Sequence, residues 1–353
     1  MSELGENISS RQSLPSVALS LAPLRRGMRL IPGIALLLVI GYLGKIAAAY
    51  VPHMEYVLFA IALGALVSNT IPIPQVFVPG IRTYEFWLKV GIVLMGAKFS
   101  VSSVVNIGAT GITLVIAEIC LAIVVARLLS RAAGLSEELG SLIGVGVGIC
   151  GVSAIIGATG AINATEEDAS YAIATILIFG AIMLAIYPLI GHLTHMSDTV
   201  FGFWTGLSID NTAEAVATGM AFSEQAAEVA TVVKLSRNAL MGFVILLFAL
   251  IHARRGIAKE IENKGAFLWA RFPKFVLGFL LLSALKTAGF FSPTQAKILT
   301  NISNWAFLLT FAGVGLSLQR TRMKAGLKPF VVGLGVETVV SMVTFLMVTL
   351  TLK

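Results

Sequence analysis

Apolar stretches of roughly 20 residues follow one another along this chain, parted only by short polar breaks. A backbone in lipid must satisfy its own hydrogen bonds, so each such stretch reads as a membrane-crossing helix. The pattern predicts about eleven of them, near 30–50, 55–71, 84–104, 108–127, 138–163, 168–191, 199–221, 225–252, 271–289, 295–318 and 327–351. Residues 1–29 read as a polar cytoplasmic segment, and 30–353 as a single transmembrane domain. The largest link between spans, His252 to Ala270, is too short for a soluble domain. The first stretch is read as a span and not a cleaved leader, because it is long and follows a long polar segment. The expected fold is all-α and polytopic. Several helix starts are marked locally: Thr165 precedes Glu166, Glu167 and Asp168, Ser292 precedes Pro293, and Ser197 precedes Asp198.

Composition sharpens this. The chain has 353 residues, 57% hydrophobic and only 12% charged, with a mean hydropathy of +0.92. Soluble domains carry charge on about a quarter of their residues, so most soluble enzymes are excluded, as are disorder and coiled coil. The two cysteines, Cys120 and Cys150, lie in apolar runs and read as small hydrophobes, not a disulfide framework. The net charge of +7 does not point to nucleic acid, because the bases fall in short loops between spans.

Those bases orient the chain. With the N-terminus inside, one side collects eighteen of the 25: Arg11, Arg25, Arg26, Arg29, Arg82, Lys89, Arg127, Arg131, Arg254, Arg255, Lys259, Lys264, Arg271, Lys274, Arg320, Arg322, Lys324 and Lys328. The other side has Lys45, Lys286, Lys297 and Lys353, with the acids Glu166, Glu167, Asp168 and Glu224. Short cytoplasmic loops hold the excess of bases, so the N-terminus is expected inside and the C-terminus outside.

Two distant stretches share a pattern: Gly96-Ala97-Lys98-Phe99-Ser100 with Gly108, Gly111 and Glu118, and Gly313-Val314-Gly315-Leu316-Ser317 with Gly326, Gly333 and Glu337. The copies are an odd number of spans apart and would insert in opposite senses, the inverted repeat of secondary transporters. A second, local pair sets Cys150-Gly151-Val152-Ser153-Ala154 and Asn163 beside Asp210-Asn211-Thr212-Ala213-Glu214, with both copies running in one sense. A re-entrant hairpin in mid-chain would account for that.

Ionisable groups inside apolar spans are costly and face a partner or a wet cavity. Here they are Lys98, Glu118, Asp210, Glu214, Lys234, Arg237 and Glu337. Asp210 and Glu214 share one helical face, and Lys234 and Arg237 share another, so two acids are expected to face two bases. Such a cluster serves a coupling proton or cation or an anionic substrate; the alternative is an ion-pair network that only aligns helices. For Glu118 and Glu337, coupling and a structural helix-to-helix contact stand level. Lys98, near a span end, is expected to snorkel.

Gly144, Gly146, Gly148, Gly151, Gly157 and Gly160 crowd one span. A helix broken there would offer backbone groups to a substrate or ion, with Cys150, Gly151, Ser153, Asn163, Asn211 and Thr212 close by. Close packing through small residues is the plainer reading. The histidines His53, His192, His195 and His252 sit at span ends and in loops without metal spacing, and read as surface residues. No phosphate loop, zinc pair or nucleophile elbow occurs, and no cofactor or catalytic residue is expected.

Gly148-Ile149-Cys150-Gly151-Val152-Ser153-Ala154, the run Ala172 to Gly180, Gly206-Leu207-Ser208-Ile209-Asp210-Asn211-Thr212-Ala213-Glu214-Ala215-Val216-Ala217 and Val233-Lys234-Leu235-Ser236-Arg237 together resemble the YeiH-type family of sulfate exporters, from about residue 30 onward. The resemblance implies a bacterial inner-membrane protein related to the bile acid:sodium symporters and cation:proton antiporters, with inverted repeats and broken, crossing helices near the bilayer midplane. It also implies that Gly148 to Asn163 and Gly206 to Gly219 are the unwound stretches flanking a central site. Ser208-Ile209-Asp210-Asn211-Thr212 stands where other members carry a histidine-containing variant, which leaves substrate and coupling ion open.

The expected function is a secondary transporter of a small anion, sulfate or an organosulfonate, coupled to protons or sodium. Asp210 and Glu214 would carry the coupling charge, countered by Lys234 and Arg237. A cation:proton antiporter is the second reading and a non-transport membrane subunit the third. A homodimer is allowed for.

Overall fold

The computed structural model describes residues 28–50, 56–255, 261–318 and 327–352. Most of the polar segment 1–29 lies outside these, as do His53, Lys259, Arg320, Arg322, Lys324, Gly326 and Lys353. The described residues form α-helices and one 3-10 turn, with no strand among them. In chain order the helices are α1 (Ile31–Ala49), α2 (Tyr56–Thr70), α3 (Val78–Ile81), α4 (Tyr84–Met95), α5 (Val101–Ala132), α6 (Glu137–Gly148), α7 (Val152–Thr159), α8 (Glu166–Leu193), α9 (Asp198–Ser208), α10 (Thr212–Phe222), α11 (Glu224–Ala239), α12 (Met241–Arg254), α13 (Lys264–Arg271), α14 (Phe275–Thr287), α15 (Pro293–Ser317) and α16 (Leu327–Thr351).

Among the described residues six helical stretches are long and apolar enough to cross a membrane: α1, α5, α8, α11 continued by α12, α15 and α16. The bent pair α13 and α14, which meet at 68°, would make a seventh. The other expected spans take shorter forms, each for a local reason. Segment 84–104 ends early, because Ser100 caps α5 by accepting from Ser103 N at 3.1 Å. Segment 271–289 is preceded by the bend at Phe272-Pro273, where proline has no amide to continue the helix. Segments 138–163 and 199–221 are each broken in the middle and fold back on themselves: Ser136, before α6, lies 3.4 Å from Asp168 at the start of α8, and Ser223, before α11, donates to Asp198 at the start of α9 at 2.6 Å. Each is therefore a re-entrant hairpin and not the expected crossing, and Glu166, Glu167 and Asp168 lie on the same face as the start of α6, not on the opposite one. With 12 and 8 residues, α6 and α7 reach only about 18 and 12 Å, against a bilayer core of about 30 Å.

The marked helix starts are present. Thr165 and Asp168 form a reciprocal capping box, Ser292 and Gln295 form another with Pro293 in the first turn, and Ser197 accepts from Val200 N at 3.4 Å.

The helices pack as two lobes. In the first, α15 lies against α1, α2 and α4, and α14 against α4. In the second, α11 packs on α5, α9 and α10, α6 packs on α5, and α16 packs on α5, α8 and α9. A band of apolar side chains joins the lobes, with Ile61, Ile92, Phe279 and Phe307 from the first meeting Val216, Met220 and Val232 from the second. Both broken helices belong to the second lobe.

The glycines of α6 divide into two classes. Gly140, Gly144 and Gly148 recur at one-turn spacing and seat the helix on Ser130, Ala126 and Ala122 of α5. Gly151 alone has the positive φ of +62° that the break requires. Close packing and helix breaking are therefore both present, on different glycines.

Candidate functional site

The two breaks lie side by side. One is Ile149-Cys150-Gly151 between α6 and α7, the other Ile209-Asp210-Asn211 between α9 and α10. A helix that stops inside a protein leaves carbonyls without partners and a partial negative charge at its C-terminal end. Here α11 answers both ends with two fully buried cations, Lys234 and Arg237. Lys234 Nζ donates to Ile149 O at 2.8 Å and Ile209 O at 2.7 Å. Arg237 donates through Nε to Gly148 O at 3.0 Å and through Nη1 to Leu207 O and to Ile209 O, the last at 3.2 Å. Each cation thus reaches carbonyls from both breaks, which pins them together.

The expected facing of two acids by two bases is only half realised. Asp210 accepts from Arg237 Nη2 at 3.2 Å. Glu214 pairs with neither base: it points from the first turn of α10 to Gly180 of α8, where an added Cβ would strike its carboxyl group. The reason is that the broken helix ends compete for the cations, and both hydrogen bonds shown for Lys234 go to backbone carbonyls. Glu118 and Glu337 complete the cluster. Glu118 Oε2 stands 3.2 Å from Arg237 Nε, while Glu337 lies carboxyl to carboxyl with Asp210. Neither Glu337 oxygen receives a donor among the described residues. The glutamates that close the two distant sequence copies therefore meet at one arginine and its partner acid. Their helices α5 and α16 pack against each other.

Hydroxyl groups fix α16 in this position. Ser208 and Thr344 share a hydrogen bond of 2.8 Å, Tyr187 OH donates to Ser341 Oγ at 2.6 Å, and Trp204 Nε1 donates to Ser341 O at 3.1 Å. Tyr187 and Trp204 also stack, with ring centroids 3.9 Å apart.

On the other side of the breaks lies a cavity of about 730 Å³. The starts of α7 and α10 open into it through Val152, Ser153, Thr212 and Ala213. Amides in a first helical turn have no acceptor within their own helix and carry the positive end of the dipole. Asn211 Oδ1 takes only the amide of Ala213, at 2.8 Å. Cys150 and Asn238 also line the cavity. Asn238 Nδ2 donates to Thr212 Oγ1 at 3.0 Å, while its Oδ1 is buried without a partner. Lys89, Arg271 and Lys274 line it too, against a single acid, Glu85. The walls come from both lobes, with Tyr84 and Leu88 of α4 facing Ala174 and Ile178 of α8.

Of the expected site residues, Cys150, Gly151, Ser153, Asp210, Asn211, Thr212, Lys234 and Arg237 converge on the breaks. Asn163 does not: it lies exposed beyond the end of α7, in a left-handed turn with φ of 56°. The unwound stretches are also shorter than the resemblance implied, because residues on either side of each break are helical.

Two further expectations are corrected. Lys98 does not snorkel to lipid. Its Nζ lies 2.6 Å from Glu224 Oε1 and 2.6 Å from Glu228 Oε1, which ties the turn after α4 in the first lobe to the start of α11 in the second. The two acids stand one helical turn apart on α11, so a single ammonium reaches both carboxylates. His252 is buried and not a surface residue, with Nδ1 against Phe248 O at 2.9 Å, because the chain continues past it as helix to Arg254. Sequence reasoning missed Asn238. Its signal was an uncharged polar residue directly after Arg237 in a membrane-spanning run.

The family profile described as conserved hypothetical protein 698 matches residues 32–333. A UPF0324 membrane protein of Nitratidesulfovibrio vulgaris is 35% identical over 292 residues, covering 81% of this chain and 81% of its own length. One from Clostridium tetani is 29% identical over 300 residues, covering 82% of this chain and 87% of the relative. The Streptococcus agalactiae protein SAG1125, also a UPF0324 membrane protein, is 27% identical over 312 residues and covers 86% and 92%. No solved structure gives a significant match.

Proposed function

The chain belongs to the conserved hypothetical protein 698 family, the UPF0324 membrane proteins, and from that premise we propose that it is a secondary transporter of a small anion. One observation carries this reading: the starts of α7 and α10 open together into a cavity between two lobes, while the carbonyl ends of α6 and α9 are already held by Lys234 and Arg237. Backbone amides at converging helix starts favour negative charge without requiring a charged side chain. The bases Lys89, Arg271 and Lys274 add an attractive field along the same cavity.

On this reading the crossings number about nine, counting the long helices, the bent pair, α2 and α4, while α6–α7 and α9–α10 enter and leave on one face as re-entrant hairpins. Charge asymmetry orients them with the N-terminus in the cytoplasm and the C-terminus outside. The cavity, bordered by Lys89, Arg271 and Lys274, then opens to the cytoplasm. Asp210, Glu214, Glu118 and Glu337 supply the coupling charge, with Arg237 between Asp210 and Glu118 as the cation they share. Sulfate or an organosulfonate fits the resemblance to the YeiH-type exporters.

A second reading, a cation:proton antiporter, is favoured by one fact: four buried acids outnumber the two buried bases near the breaks, and Glu337 receives no donor among the described residues. Proteoliposomes separate the two. With an imposed proton or sodium gradient, the anion reading expects labelled sulfate or methanesulfonate flux that Asp210→Asn abolishes. Cation flux that collapses the proton gradient without dependence on any anion overturns it. Neither flux, from protein that unfolds cooperatively, assigns a non-transport role.

A further inference from the structure

The walls of the cavity do not match a bare inorganic oxyanion. Polar groups cluster at one end, where Thr212, Asn238 and Ser153 meet the starts of α7 and α10. Away from that end the lining is largely apolar, with Leu177 and Ile178 of α8, Met241 of α12, Phe272, Phe275 and Leu318, alongside the charged residues Glu85, Lys89, Arg271 and Lys274. At about 730 Å³ the space is in the range that holds drug-sized ligands, roughly 300–1,000 Å³, whereas sulfate is a handful of atoms. Sulfate placed at the helix starts would leave most of this apolar wall against water. A ligand that also carried hydrocarbon would cover it and gain the burial free energy of that surface.

The polar end is more than a pair of helix starts. Asn238 is only 4% exposed, lines the cavity and keeps Oδ1 without a partner among the described residues. Its amide nitrogen is engaged by Thr212 Oγ1, which leaves the hydroxyl proton of Thr212 available to a ligand. The Thr212 hydroxyl and the first-turn amides can donate to an anionic head group, with its substituent directed along the apolar wall. Arg271 and Lys274 line the cavity as well, each packed over an aromatic ring. Arg271 lies over the Phe267 ring at 5.4 Å and Lys274 over Trp269 at 5.2 Å, which gives both charges aromatic partners.

Resting on the anion-transport reading above, we propose that the cavity takes an amphipathic organic anion, its charged head at the starts of α7 and α10 and an aliphatic or aromatic portion of several carbons along Leu177, Ile178, Met241 and Phe275.

The test uses the full-length protein in lipid nanodiscs. Binding of inorganic sulfate and of methane-, propane- and pentanesulfonate is measured by isothermal titration at fixed ionic strength. The proposal expects affinity to rise about fourfold for each added methylene, the factor for burying one such group. It also expects sulfate to bind more weakly than any propane or longer member. Leu177→Gln, which places a polar group in the wall, is expected to reduce the rise per methylene to less than twofold, with unfolding temperature followed to exclude misfolding. Met241→Gln serves as the independent second variant. Affinity flat or falling with chain length, while sulfate binds, overturns the amphipathic assignment and leaves the anion reading standing. Binding of none of the four anions, by protein shown to be folded, overturns both.

Discussion

Arg237 donates through Nη2 to Asp210 Oδ1 at 3.2 Å, and the same guanidinium lies 3.2 Å from Glu118 Oε2 while donating to carbonyls of both broken helices. The arginine is fully buried. Removing it strips the donor from one acid, the counter-charge from another, and partners from carbonyls that lack water. Arg237→Ala should therefore destabilise the protein by about 3–5 kcal/mol, the range for breaking a buried ion pair from one side. Arg237→Lys should recover less than half of this, because a single ammonium cannot reach the Gly148 and Leu207 carbonyls and Asp210 at once. Thermal unfolding of purified protein in detergent reads both. An Arg237→Lys variant as stable as the parent would show that the fork geometry is unimportant.

Lys98 bridges the lobes at the end of the molecule away from the cavity, with Glu224 and Glu228 each 2.6 Å from its ammonium. A transporter with its cavity open on one side must part these charges to open on the other. The ion pairs are partly solvated, so their loss is worth about 1 kcal/mol, a roughly fivefold change in the balance between two states. Cys150 provides a native reporter because it lines the cavity, once the exposed Cys120 is replaced by alanine. In that background, Lys98→Ala should raise labelling of Cys150 by a membrane-impermeant thiol reagent applied to the face that carries Lys98, the periplasmic face on the proposed orientation. Lys98→Glu with Glu224→Lys and Glu228→Lys should restore the parent rate. Unchanged labelling in Lys98→Ala would show that the bridge does not hold that side closed.

How much of this could be read from the chain depended on whether the signal was local. The apolar runs gave the all-α membrane fold, and Thr165, Ser197 and Ser292 gave their helix starts, because capping is settled within four residues. Periodicity could not show that segments 138–163 and 199–221 are two helices each, since a three-residue break interrupts hydropathy hardly at all. Gly151 was the visible trace of one break; the other, at Ile209 to Asn211, contains no glycine. Charge pairing was the least legible. Lys234 and Arg237 were expected to seek acids, whereas the carbonyls they bind are present in every residue and have no signature in sequence. Lys98 and Glu224 are likewise 126 residues apart and meet only through packing of the lobes.

Gly151 and Gly148 are three residues apart and should respond oppositely to alanine. At Gly151 the backbone has φ of +62°, and a Cβ would lie 3.1 Å from Ile176 Cγ2 and 3.4 Å from Asp210 Cβ. Gly151→Ala should cost about 1–3 kcal/mol in strain and disturb the break itself. At Gly148, in the last turn of α6, an added Cβ would meet Ala122 Cβ at 3.5 Å, an ordinary contact. Gly148→Ala should be neutral or stabilise by up to about 1 kcal/mol, as alanine favours helix over glycine. Paired unfolding curves check this, and equal losses at both positions would place the strain outside the break.

Asn238 separates the two functional readings with one nearly isosteric change. Its side chain is 4% exposed, lines the cavity and holds Thr212 through Nδ2 at 3.0 Å. Asn238→Asp keeps the shape but turns the hydrogen bond around, so that the Thr212 hydroxyl would donate to it, and sets a carboxylate beside the helix starts that would receive an anion. A like charge a few ångströms from the ligand should weaken anion binding at least about tenfold, even with the strong screening of an effective dielectric near 20. Asn238→Ala, which removes the hydrogen bond without adding charge, should weaken it by a smaller factor. If the cavity instead serves a cation, the same aspartate adds a ligand of the right sign and affinity for the cation should rise. Titration of both variants with methanesulfonate and with sodium therefore gives opposite signs for the two mechanisms. An Asn238→Asp protein that binds methanesulfonate as tightly as the parent would remove the starts of α7 and α10 from the substrate path.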